Sequence, residues 1–140
     1  MNETNLIISE EVAMDDFNRM LRAARVKWDL YKQVSGQRDA ENERAVIVDA
    51  IMDGRVIIDD NGFPTVRVEL DSVKEIKITR RGCRGDWLMV DRVKEGHNSA
   101  AQNAVMGKFL GVAPAVIELL EGQDFTLVQA LWWIFLGYRV

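Results

Sequence analysis

Residues 55–70 decide the fold: Arg55-Val-Ile-Ile-Asp59, then Asp60-Asn61-Gly62, then Phe63-Pro64 and Thr65-Val-Arg-Val-Glu-Leu70. Two β-branched runs either side of Asn-Gly are a strong hairpin signal, because both turn residues tolerate positive φ. Pro64 has no N–H for a ladder, so the second strand is expected on a sheet edge or starting after it. A third strand is expected over Val73 to Thr79, where Ile76 and Ile78 alternate weakly with Val73, Glu75 and Lys77. Three short strands make a small antiparallel sheet or a hairpin with an extra edge, and the chain on both sides of them has helical spacing. The expected class is therefore α+β, mostly helical, with an N-terminal helical hairpin, the sheet and a C-terminal helical bundle.

Upstream, one helix is expected from Ser9 to Val34. Ser9 can cap it, and Glu10 and Glu11 suit the positive end of its dipole. Met14, Phe17, Leu21, Ala24, Trp28 and Tyr31 recur at 3-4-3-4-3, a continuous seam fit for one partner helix. Ser35-Gly36 ends it. A second helix is expected from Asp39 or Ala40 to Asp53, burying Val46, Ile47, Ala50 and Ile51, with Gly54 as its stop.

Downstream, the loop Arg80-Arg-Gly-Cys-Arg-Gly85 precedes four expected helices. Asp86 can cap the first, which runs to Glu95, and Asn98 or Ser99 the second, which reaches Leu110 or Gly111. Pro114 opens the third, with Val116, Ile117, Leu119 and Leu120 expected to be buried. Asp124 can cap the last, Phe125 to about Leu136, which is apolar on nearly every face. A helix of that kind is central in a core or lies between subunits. In 140 residues full intramolecular cover is hard to arrange, so part of it, or of the Phe17–Trp28 seam, is expected at a protein interface.

Composition narrows the function. A net charge of −4 lacks the basic excess of a general nucleic-acid binder. The first seventy residues hold fourteen of the 22 acids but nine of the 18 bases, so the N-terminal half is the acidic one. Cys83 is the only cysteine, which excludes an intrachain disulfide and fits a reducing compartment. The first residues lack the basic and apolar regions of a secretory signal, and the apolar run Phe125 to Tyr138 is shorter than the roughly twenty residues of a membrane span. A soluble cytoplasmic protein is expected.

Catalytic machinery is poorly supported, and neither a cofactor nor a metal site is expected. His97 is the only histidine, so a histidine-based metal site cannot be assembled. Arg80, Arg81 and Arg84 make Cys83 a candidate reactive thiol, and a Cys83–His97 pair is conceivable; a thiol in a basic loop beside an unrelated histidine is the favoured reading. The acid pairs Glu10-Glu11, Asp15-Asp16 and Asp59-Asp60 are explained by helix starts, a solvated face and a turn. Asp59-Asp60-Asn61-Gly62 lacks the spaced ligands of a calcium loop, and Gly82-Cys-Arg-Gly85 is too short to cradle a phosphate. The three arginines could meet a phosphate or an acidic partner, with a solvated loop the favoured reading. Trp132-Trp133 points to two sides of one helix.

The residues from about Val66 to Tyr138 resemble the tail assembly chaperones of Mu-like and related long-tailed bacteriophages. The resemblance is carried by Lys74-Glu-Ile-Lys-Ile-Thr-Arg-Arg81, Gly85-Asp86-Trp-Leu-Met-Val-Asp91, Phe109-Leu-Gly-Val112, Glu118-Leu-Leu-Glu121 and Asp124-Phe-Thr-Leu-Val128. It covers about half the chain through turn, cap and apolar positions. Gly82-Cys83 stands where the family often has a proline. The expected division is a helical arm over residues 1–54 and a β-hairpin with a helical chaperone-like domain over 55–140.

The resemblance implies a non-enzymatic protein of the bacterial host cytoplasm. It would bind and solubilise the long helical tape measure protein during tail assembly, yield to tail tube protein as the tube polymerises, and self-associate as a homo-oligomer. Many such chaperones are made in two forms by a translational frameshift near the end of the gene. No nucleic acid or membrane partner is expected. Candidate protein-binding residues are Phe17, Leu21, Trp28 and Tyr31 on the seam, with Phe125, Val128, Trp132, Trp133 and Phe135 on the last helix. Two other readings are a structural tail component that stays in the virion and a small regulator of a host factor.

Overall fold

A computed structural model describes residues 8–96 and 99–137. Among these are seven helices and one three-stranded antiparallel sheet, so the protein is a mostly helical α+β fold.

The first helix, α1, runs from Glu10 to Ala24, and the Ser9 hydroxyl accepts the Val12 N–H at 3.2 Å. It does not continue to Val34. Arg25 turns into the left-handed region at φ 58°. Its N–H donates to the Arg22 carbonyl at 3.1 Å, and the Val26 N–H to that of Leu21 at 3.0 Å, closing the helix end. A left-handed residue other than glycine costs roughly 1–2 kcal/mol, and burying a valine side chain such as that of Val26 offsets about as much. The chain then re-enters a short helix, α2 (Trp28–Ser35), turns at Gly36, and forms α3 (Gln37–Met52). The expected single seam is therefore two segments. Phe17, Leu21 and Ala24 are buried on α1, and Trp28 folds back so that its ring meets Phe17 at 5.5 Å and stacks on Tyr31 at 5.7 Å.

The sheet orders β1 (Val56–Ile58), β2 (Pro64–Arg67) and β3 (Glu75–Lys77) as a meander, with Val56 opposite Val66 and Val66 opposite Ile76. Val56, Ile58, Val66, Ile76 and Ile78 face the core, and Ile57, Arg67, Glu75 and Lys77 face outward. The expectation for Pro64 needs correcting: it opens the central strand, where a first residue can do without its N–H and still offer its carbonyl to Ile78 at 3.1 Å. The turn is also wider than a two-residue Asn-Gly hairpin. The Asp59 carboxylate accepts the N–H groups of Asn61 (2.8 Å) and Phe63 (3.0 Å), and of the two turn residues only Gly62 has positive φ, at 90°. That glycine lies against α1, where an added Cβ would fall 2.7 Å from the Ala23 Cβ and 2.9 Å from the Arg19 carbonyl oxygen. Arg19 donates across the same gap to the carbonyls of Ile58 (3.2 Å) and Asp59.

The remaining helices are α4 (Arg84–Gly96), α5 (Ser99–Leu110), α6 (Pro114–Leu119) and α7 (Gly122–Leu136). Pro114 opens α6 as expected, and Val116 and Ile117 are buried. Leu119 is instead 63% exposed and Leu120 half-buried, because the helix stops where the chain leaves the core. Helix α7 starts before Asp124, which lies inside its first turn. While α5 packs on α4 and α6, α7 packs chiefly on α3 and also on α1.

Residue 54 is consequently not a packing boundary. A single apolar cluster runs from Ala13 to Leu136 and includes residues from both helical parts and the sheet. Helix α7 obtains the cover that its sequence made hard to foresee. Leu127, Val128, Leu131, Trp132, Ile134 and Phe135 are all at most 1% exposed; Phe125, Gln129 and Trp133 are half-buried along one stripe, and the exposed residues Gly122, Gln123 and Thr126 lie in the first two turns. Its C-terminal carbonyls are also held. Gly82 N–H donates to Phe135 at 2.7 Å, and the Trp87 indole N–H to Leu136 at 3.2 Å. Gly82 must be a glycine here, since a Cβ would lie 2.8 Å from the Leu136 Cα.

Candidate functional site

Four helices meet around a cleft of about 530 Å³, and each brings side chains one turn apart. Helix α2 supplies Tyr31 and Ser35 with Val34 between them, and α3 supplies Asp39 and Glu43. Helix α4 supplies Trp87 and Asp91, and Trp133 of α7 is followed four residues later by Gly137. Positions i and i+4 share a helix face, so each helix turns one stripe toward the same space. Among the described residues the lining holds three carboxylates and three aromatic rings but no basic residue.

The floor is rigid. Tyr31 is 2% exposed, and its hydroxyl donates to the Glu43 carboxylate at 2.6 Å. Burial pushes the Tyr31 hydroxyl's pKa up, reinforced by the bond to Glu43. Burial likewise raises the Glu43 carboxyl; the Tyr31 bond pulls it down and the Asp39 charge pushes it up. A carboxylate short of water beside a second negative charge is stabilised by a cation brought close to it. The aromatic wall suits the same cation, through the negative faces of its rings. Trp133 lies 6.3 Å from Trp87 and 4.9 Å from Trp132, ring centre to ring centre.

Of the nine residues that the sequence marks as candidates for protein binding, the cleft takes Tyr31 and Trp133. Phe17, Leu21, Val128, Trp132 and Phe135 are buried inside the protomer, which already covers them. Trp28 is half-buried between Phe17 and Tyr31 with the Arg44 guanidinium 5.1 Å above its ring, and Phe125 is half-buried on the α7 stripe. Asp39, Glu43, Trp87 and Asp91 carry no binding signal of their own in the sequence. Their four-residue spacing is readable, but nothing local tells that the two faces converge.

The arginine loop serves the fold. Arg80 forks onto Asp86 at 2.8 and 3.0 Å and lies 4.3 Å over the Phe109 ring, while Arg81 donates to the Ala23 carbonyl at the end of α1. Asp86 also accepts the Cys83 N–H at 2.8 Å, so a carboxylate stands beside this exposed cysteine as well as the arginines. The hydrogen bond from Arg80 holds the Asp86 carboxyl below the usual range. His97 lies outside the described residues, and with it the Cys83–His97 pair. Among the described residues no group of three His, Cys, Asp or Glu side chains is placed to hold a metal ion, and no helix is long and apolar enough to cross a membrane.

Compared with protein-family models, curated proteins and solved structures, the chain matches none.

Proposed function

We propose that this chain is a non-enzymatic protein-binding domain, and specifically a tail assembly chaperone that keeps a long helical tape measure protein soluble in the bacterial host cytoplasm. The observation that carries the reading is the four-helix cleft, with its aromatic walls and its carboxylates. Leu30 and Val34, 41% and 59% exposed and one turn apart on α2, extend its rim as an apolar strip. An amphipathic client helix laid there would set apolar anchors against Val34, Trp87 and Trp133 and turn a lysine or arginine toward Asp39 and Glu43. A single cleft of this size gives moderate affinity, which suits a client that must later be released to the tail tube. The phage assignment itself is supported by the resemblance of residues 66–138.

Co-expression with a tape measure protein tests this. The chain should raise the client's soluble fraction and co-purify with it, and Val34→Glu, which alters an exposed side chain, should abolish both while leaving the circular dichroism spectrum unchanged. A client that stays insoluble beside the folded chain would overturn the reading. So would finding the chain by mass spectrometry in mature particles, which favours a structural tail component.

A further inference from the structure

The carboxylates of the cleft stand on two different helices. Asp39 and Glu43 share one face of α3, a turn apart, and Asp91 stands on α4 a turn from Trp87. They are not gathered tightly enough for one metal ion, since among the described residues no three such side chains form a group that could hold one. Negative charge is thus spread along the cleft rather than focused at a point. Glu43 spends one oxygen, Oε1, on the Tyr31 hydroxyl, and Asp91 has a contact of its own within the protein. A carboxylate has about four acceptor sites, so both can still receive a donor. Apart from Ser35 and Gly137, the rest of the lining is Val34 and the rings of Tyr31, Trp87 and Trp133.

We infer that this cleft also binds a free linear aliphatic polyamine, with its ammonium groups on Asp39, Glu43 and Asp91 and its methylene chain on Val34, Trp87 and Trp133. Each part of such a molecule meets a part of the lining. Carboxylates one helical turn apart have Cβ atoms about 5–6 Å from each other, close to the reach of a propyl or butyl spacer between two ammonium groups. The methylenes lie on apolar surface as a lysine stem does, and an ammonium group near a ring is drawn to its negative face. A volume of about 530 Å³ is also in the range of small-molecule sites. A compact inorganic cation offers neither the span nor the apolar chain. The inference uses the same cleft as the client reading but needs no client: a polyamine and a client's lysine or arginine would compete for the same carboxylates.

The test is calorimetric titration of the full chain with spermidine at low salt, without any client, followed by NMR of the tryptophan indole N–H groups. Spermidine should bind one to one and shift the signals of Trp87 and Trp133. Asp39→Asn, which changes an exposed side chain, and Glu43→Gln, which keeps an acceptor for Tyr31, should each weaken binding at least about tenfold. Asp15→Asn makes the same change of charge at an exposed position outside the cleft and should leave binding unchanged. Butylamine, with a single ammonium group, should bind far more weakly, and magnesium at the same concentration should not displace spermidine. Equal losses in Asp15→Asn and Asp39→Asn, or displacement by magnesium, would reduce the effect to the chain's net negative charge and overturn the inference. So would butylamine binding as tightly as spermidine, or no heat and no shift. An insoluble client beside a chain that binds spermidine would sink the client reading alone.

Discussion

The ring of Phe17 meets the ring of Trp28 edge-on, with 5.5 Å between centroids and 84° between planes. On one straight helix the two residues would lie about 16 Å apart along the axis. The left-handed turn at Arg25 brings them together, and this contact directs α2 across α3 to bring Tyr31 to the cleft. An edge-to-face pair adds about 0.5–1.5 kcal/mol beyond the area it buries, which helps hold a turn that the backbone alone disfavours.

Arg25→Gly should stabilise the protein by up to about 1 kcal/mol, since glycine enters the left-handed region freely and Arg25 is exposed. Urea unfolding measures it. A loss of stability would mean that α1 and α2 are continuous in solution.

At Glu43 the two roles of the side chain separate by substitution. Glu43→Gln keeps an acceptor for the Tyr31 hydroxyl and removes a poorly solvated charge, so stability at pH 7 should be unchanged or slightly higher. Glu43→Ala leaves a buried hydroxyl without its acceptor and should cost about 1–3 kcal/mol. Thermal denaturation of the two variants side by side distinguishes these outcomes.

Gly62→Ala and Gly82→Ala should each cost about 1–3 kcal/mol, because the new methyl group meets backbone or a packed helix at under 3 Å. Gly62 carries the added strain of positive φ. Chemical denaturation should rank both well below Gly122→Ala, where the Cβ would meet nothing within 4 Å.

Asp86 makes the fold sensitive to acid. Its carboxyl loses its proton more readily in the fold than in the unfolded chain, so its contribution is complete above about pH 5. It drains away as pH falls through the ordinary carboxylate value toward the lower folded one. Asp86→Asn should therefore lower stability at pH 7 and flatten the decline below pH 5. Glu43 acts with the opposite sign. Its raised carboxyl takes up a proton in the fold first, so stability at that residue grows as pH falls until the unfolded carboxyl protonates too. Stability profiles of both variants from pH 3 to 7 check the signs.

How much of this could be read from the chain depended on range. The strand pair around Asn61-Gly62, the proline opening α6 and the all-apolar α7 are local signals, and each element formed where its residues indicated. Arg25 carried no signal, since nothing in its own chemistry marks it for positive φ; the decision lies with Val26 and Trp28 packing afterward. The cleft was half legible. Tyr31 and Trp133 stand out as large aromatics, but Asp39, Glu43 and Asp91 resemble any solvated helix face until α3 and α4 are brought together. The arginine loop reads as solvated because its partners, Ala23, Phe135 and Phe109, are remote in sequence.

Arg19 has one more consequence. By taking the carbonyls of Ile58 and Asp59 together, it fastens the end of β1 to α1, so the loop cannot part from that helix without losing both bonds. The same guanidinium that ties a loop to a helix thereby occupies one of the acceptors on which a strand arriving at the rim of β1 would depend.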